Sequence, residues 1–98
     1  MDQIIKEALE VFGLTPYEIN TGNCDGFADL LLAKAEELGL DVKLIVNDSI
    51  GHVWVKYRGK HYDAETSIGV TNWKELPAFN RSKIKGVTDD GTANDPGV

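Results

Sequence analysis

Apolar residues recur at helical spacing through the N-terminal part of the chain and then give way to β-rich runs. Ile5, Ala8, Leu9 and Phe12 share one helical face, which predicts an amphipathic helix over residues 2–12 that Gly13 ends. Thr15 and Pro16 read as an N-cap followed by a proline at the first helical position, so a fresh helical turn is expected there. Asn20-Thr21-Gly22-Asn23 reads as a turn cluster, with Asn23 as the cap of the next helix. That helix, residues 24–38, carries the widest stripe. Phe27, Leu30, Leu31, Ala35 and Leu38 line one face, and Ala28, Leu32 and Ala33 broaden it. A stripe this wide predicts a central helix packed on more than one side. Lys34 and Glu36-Glu37 keep a narrow wet edge, and Gly39 ends the helix.

Strand signals follow. Val42–Val46 is a short β-rich run, Asn47-Asp48-Ser49 a turn, His52–Tyr57 a second strand and Lys60–Ala64 a third. Arg58-Gly59 between the last two predicts a tight antiparallel hairpin. Residues 66–85 show no clear period, apart from a helical turn suggested by Thr71–Leu76 before Pro77. The segment 88–98 has almost no apolar content and reads as a disordered acidic tail, which leaves one domain over 1–87.

Composition narrows the function classes. Ten Lys and Arg stand against 16 Asp and Glu, a net charge of −6, which argues against nucleic acid as a partner. The N-terminus has no basic segment leading into an apolar run, and no stretch approaches a membrane span. The expectation is a cytoplasmic monomer without membrane contact. Its single cysteine excludes an internal disulfide.

That cysteine, Cys24, falls at the start of the central helix, within Gly22-Asn23-Cys24-Asp25-Gly26-Phe27-Ala28. A thiol attacks as thiolate, and both the positive end of a helix and a neighbouring histidine favour the anion. His52 opens the second strand and Asp63 closes the third. In a hairpin turning at Arg58-Gly59, Asp63 lies opposite Trp54 and diagonal to His52, within reach of an imidazole nitrogen. Cysteine, histidine and aspartate are then a candidate nucleophile, base and orienting carboxylate. The Cys24 N–H is a first oxyanion donor, with Asn20 or Tyr17 as candidate second donors and Asn20 ranked ahead. Trp54 and Trp73 read as core or rim aromatics, with Trp54 also a candidate substrate contact. His61 reads as surface, and a zinc set of Cys24, His52, His61 and Asp63 lacks the short-spaced ligand pairs usual for structural zinc.

Gly22-x-Cys24-x-x-Phe27-Ala28-x-Leu30, Leu38-Gly39-Leu40, His52-Val53-Trp54-Val55 and Tyr62-Asp63-Ala64, in that order, resemble the core of small bacterial or phage-type transglutaminase-like proteins, within the papain-like cysteine enzymes. The resemblance covers residues 20–65. It implies a papain-like α+β core, a central helix on a small antiparallel sheet, and thiol acyl chemistry on a peptide or amide substrate. The implied triad is Cys24, His52 and Asp63, acting as a hydrolase or acyl transferase without cofactor or metal. The chain departs from the family in lacking a long insert before the histidine and in having no glutamine close before the cysteine. Asn23–Phe27 and Gly51-His52-Val53 also resemble pieces of NlpC-type cell-wall peptidases, a second reading. A catalytically inactive binding module of the same fold is the third.

Overall fold

The N-terminal half follows its local signals closely. Residues 1–85 are described by a computed structural model. Helix α1 spans Asp2–Phe12, and Gly13 ends it in the left-handed region at φ 74°. Helix α2 spans Pro16–Gly22 behind a reciprocal capping box between Thr15 and Glu18, which satisfies two backbone N–H groups at once. The expected turn at Asn20–Asn23 is a correction. Those residues complete α2, and the Asn23 N–H donates to Ile19 O at 2.7 Å. The Thr21 hydroxyl donates back to Tyr17 O at 2.8 Å within the last turn.

Helix α3, Cys24–Glu37, starts directly after the N-cap Asn23, whose side chain makes no capping bond. Phe27, Ala28, Leu31 and Ala35 are its buried face, and Leu30 and Leu32 pack partly buried against the core. Leu38, expected on that face, is 65 % exposed. The reason is the helix end. Gly39 turns left-handed at φ 73°, and the Leu40 N–H reaches back to Ala35 O at 2.9 Å. Leu40 then packs against the core in place of Leu38.

Four antiparallel strands form one sheet in the order β1-β2-β3-β4: β1 Lys43–Asn47, β2 His52–Tyr57, β3 Lys60–Asp63 and β4 Thr66–Val70. The β2–β3 hairpin turns at Arg58 (φ 51°) and Gly59 (φ 79°), the positive-φ pair of a tight hairpin turn. Strand β4 and helix α4, Pro77–Lys85, lie where no regular element was expected, joined by a 3₁₀ turn at Trp73–Glu75. Neither announces itself by period. Strand β4 carries Gly69 at φ 88°, where a Cβ would lie 2.5 Å from Tyr62 Cε2, and the β3–β4 register slips between His61 and Asp63. The segment 88–98, expected to be a disordered tail, lies outside the described residues, as do the last positions of the expected 1–87 domain.

Alternation along the strands sorts the sheet into two faces. Val55 and Tyr62 pair across β2–β3 and join Ile5, Ala8, Ile19, Phe27 and Leu31 in the main core, under α1 and α3. The other face carries His52, Trp54, His61 and Asp63, all under 9 % exposed. It is closed by Trp73, stacked on Trp54 at 6.0 Å, with Phe79 edge-on to Trp73 at 5.1 Å. The fold is thus α+β, with a helical half on a small antiparallel sheet. Among the described residues no helix is long and apolar enough to cross a membrane.

Candidate active site

The hairpin register brings His52 and Asp63 together. Val55 pairs with Tyr62, so the next position sets Asp63 opposite Trp54 and leaves His52 on the diagonal. Asp63 Oδ2 lies 2.9 Å from His52 Nε2, and both side chains are 2 % exposed or less. The other carboxylate oxygen, Oδ1, accepts the Glu65 N–H at 3.0 Å. An ionised Asp63 is acceptor-only, so Nε2 donates its proton to Oδ2, and in a neutral imidazole Nδ1 is then a bare lone pair. That Nδ1 is buried without a hydrogen-bond partner among the described residues. A buried, unpaired ring nitrogen costs about 1–3 kcal/mol.

Cys24 opens α3 and is half-buried. Its helix packs on β2, but its thiol makes no hydrogen bond to His52 in this structure. The Cys24 N–H is at the helix N-terminus, where backbone donors lack partners within the helix. His52 and Asp63 are therefore joined, and Cys24 stands at the head of the adjacent helix.

Asn20 is buried and its Nδ2 donates to Glu65 Oε1 at 2.8 Å. Glu65 is in turn held by Arg81, whose Nη2 and Nη1 reach Oε1 and Oε2 at 2.7 and 3.1 Å. Tyr17 is 57 % exposed, and the Arg81 guanidinium lies over its ring at 5.2 Å. Asn20, His52, Arg81 and the Ser49–Gly51 loop line a cleft of about 390 Å³ between α2 and α4.

Trp54 does not offer a substrate face. It is 2 % exposed, sandwiched between His52 (5.4 Å) and Trp73 (6.0 Å), and its Nε1–H is donated to His61 Nδ1 at 2.8 Å. It acts instead as a wall that holds the His52 ring. His61, read from sequence as surface, is 8 % exposed, because the Trp73 turn covers that end of the sheet. Burial first, then the Lys56 ammonium paired across the hairpin, push His61 below the ordinary 6.5. The Trp54 N–H adds to this, since Nδ1 must stay bare to accept it.

A pH dependence follows with a definite sign. The folded state disfavours protonated His61, so the unfolded chain binds the proton more readily. This contribution to stability is full above about 6.5 and is lost as pH falls through the folded value. The urea midpoint, followed by tryptophan fluorescence, should fall as pH is lowered from about 7.5 to about 5. His61→Gln, which keeps an acceptor for Trp54 but no titrating group, should flatten that part of the profile. A slope identical in both proteins would count against His61 as its source.

Sequence reasoning missed Glu65 and Arg81. Glu65 stands two positions past Asp63, and a carboxylate whose own N–H caps the preceding aspartate was a readable signal. Arg81 lies on α4, which had none. No family model, curated protein or solved structure matches this chain.

Proposed function

We propose that this chain is a cysteine-dependent amide hydrolase or acyl transferase in which Cys24 is the nucleophile, His52 the base and later the acid, and Asp63 the orienting carboxylate. The observation that carries the reading is the His52 ring. Its Nε2 is tied to a buried carboxylate, and its Nδ1 is buried and unpaired. Such an imidazole, when neutral, has its proton fixed on one nitrogen and a lone pair free on the other, as a general base requires. The sequence resemblance to transglutaminase-like proteins supports the same assignment.

The reaction forms a bond between Cys24 Sγ and the carbonyl carbon of an amide. His52 Nδ1 takes the thiol proton and delivers it to the departing amine as the C–N bond breaks. Water or a second amine then adds to the thioester carbonyl as His52 takes its proton, the C–S bond breaks, and the proton returns to Cys24 Sγ. Asp63 stays ionised and balances the imidazolium.

The test is alkylation by iodoacetamide against pH. Wild type should react well below the pH at which a free thiol, with a pKa of about 8.5, becomes anionic, and His52→Ala should lose that advantage. His52→Gln, closer in volume, guards against a variant that fails to fold. Superimposable profiles for folded wild type and variant would sink the triad and favour the binding module, in which Cys24 and His52 never meet.

A further inference from the structure

We propose that Glu65 is a positioning residue that orients the Asn20 carboxamide as an oxyanion donor, with Arg81 holding Glu65 in place. This rests on the cysteine-enzyme reading above.

Three observations converge on Glu65. Its Oε1 accepts Asn20 Nδ2 at 2.8 Å across 45 positions of sequence. A carboxylate paired with an arginine only accepts, so the Asn20 atom facing it must be the nitrogen, and the flip of that amide is decided by Glu65. One N–H of the amide is spent on Glu65. The second belongs to a side chain that lines the same cleft as His52. Arg81 grips both Glu65 oxygens, at 2.7 and 3.1 Å, a bidentate pairing that favours a single rotamer. Finally, the Glu65 main chain reaches the triad itself, because its N–H is donated to Asp63 Oδ1 at 3.0 Å. One residue thus sets the orienting carboxylate with its backbone and the candidate oxyanion donor with its side chain.

The two arms separate by mutation. Substituting the Glu65 side chain leaves its N–H on Asp63, so thiolate formation through His52 is retained, whereas the hold on Asn20 is lost. Two probes read the arms apart. Iodoacetamide alkylates the thiolate by displacement at a saturated carbon and forms no oxyanion. p-Nitrophenyl acetate acylates it: the S–C bond forms, the carbonyl oxygen becomes an oxyanion, and the bond to p-nitrophenolate breaks as that anion leaves. The readout is the ratio of acylation to alkylation rate constants.

Asn20→Ala should lower the ratio by roughly 10²-fold, the scale of one lost oxyanion donor. Glu65→Ala should lower it by roughly tenfold to 10²-fold, as a misplaced donor does. The double variant should be no worse than Asn20→Ala alone, because both changes remove one interaction. Should Glu65→Ala not fold, Glu65→Gln tests the same point. It keeps an oxygen for Asn20 but sets an amide NH₂ against Arg81 Nη1, and its ratio should fall between wild type and Asn20→Ala. A wild-type ratio in folded Glu65 variants, or losses that multiply in the double variant, would overturn the assignment while leaving the triad standing. A wild type that lacks both the low-pH alkylation and the ester acylation would instead remove the triad, and this proposal with it.

Discussion

Asp63→Asn should lower the rate of Cys24 acylation by roughly 10⁴-fold, the scale seen when the orienting carboxylate of a triad becomes an amide, while leaving the fold intact. The direction follows from the hydrogen bonds on both carboxylate oxygens. Oδ1 accepts the Glu65 N–H at 3.0 Å, and only an oxygen can stay there. The asparagine amide nitrogen must then occupy the Oδ2 position, 2.9 Å from His52 Nε2. That nitrogen donates, so Nε2 must become the acceptor, and the imidazole proton moves to Nδ1. The Nδ1 lone pair disappears, and a charged imidazolium would lose its counter-ion. The p-nitrophenyl acetate acylation rate reads the effect. The nitrogen-15 shifts of His52 read its cause, with the protonated nitrogen changing from Nε2 to Nδ1. Acylation within tenfold of wild type, with the tautomer unchanged, would remove Asp63 from its role.

The second large effect is on stability. Phe27→Ala should destabilise the domain by about 3–5 kcal/mol, the usual range for truncating a buried phenylalanine. Phe27 is 2 % exposed in the core between α3, α1 and the sheet. Its ring meets Phe12 edge-to-face, with centroids 5.5 Å apart and planes at 82°, a pairing worth about 0.5–1.5 kcal/mol beyond area burial. The loss combines transferred surface, the residual cavity and that aromatic contact. For a domain of this size each kcal/mol lowers the thermal midpoint by about 4–8 °C, so the variant should melt at least about 12 °C below wild type. Domains of this kind have total stabilities of only about 5–15 kcal/mol, so part of the variant population should be unfolded at physiological temperature. Calorimetry or circular dichroism gives the value. A shift under about 4 °C would mean that the site collapses around the smaller side chain.

Phe27 also ties stability to the site. It sits one turn after Cys24 on the same helix, so loss of its packing loosens the helix start that carries the thiol. Acylation by Phe27→Ala should therefore fall further on warming than the folded fraction alone requires.

The first three helices, the first three strands and the order of the candidate chemistry were legible because they rest on local rules. Thr15-Pro16 with Glu18 is a capping box whether or not anything packs on it. Arg58-Gly59 fixes a two-residue turn, and counting outward from that turn places Asp63 beside His52 without reference to the rest of the chain. The strand residues of the site thus follow from register alone. The helix stripe identified Phe27, Leu31 and Ala35 as core but misplaced Leu38. Periodicity cannot see that Gly39 reverses the chain one residue later.

The remainder was decided only in three dimensions. Asn20, Glu65 and Arg81 come from α2, the β3–β4 turn and α4, and no spacing rule joins residues on separate elements. His61 became a buried acceptor because Trp73 and Phe79 close over Trp54, a consequence of aromatic packing between distant segments. The sequence by itself determined which groups are available and which of them the hairpin aligns, because caps, turns and strand registers are short-range. The tertiary structure alone decided which polar atoms are paired and which are left bare. Burial and hydrogen-bond satisfaction depend on what folds over a group, and for His52 that is the difference between a paired and an unpaired ring nitrogen.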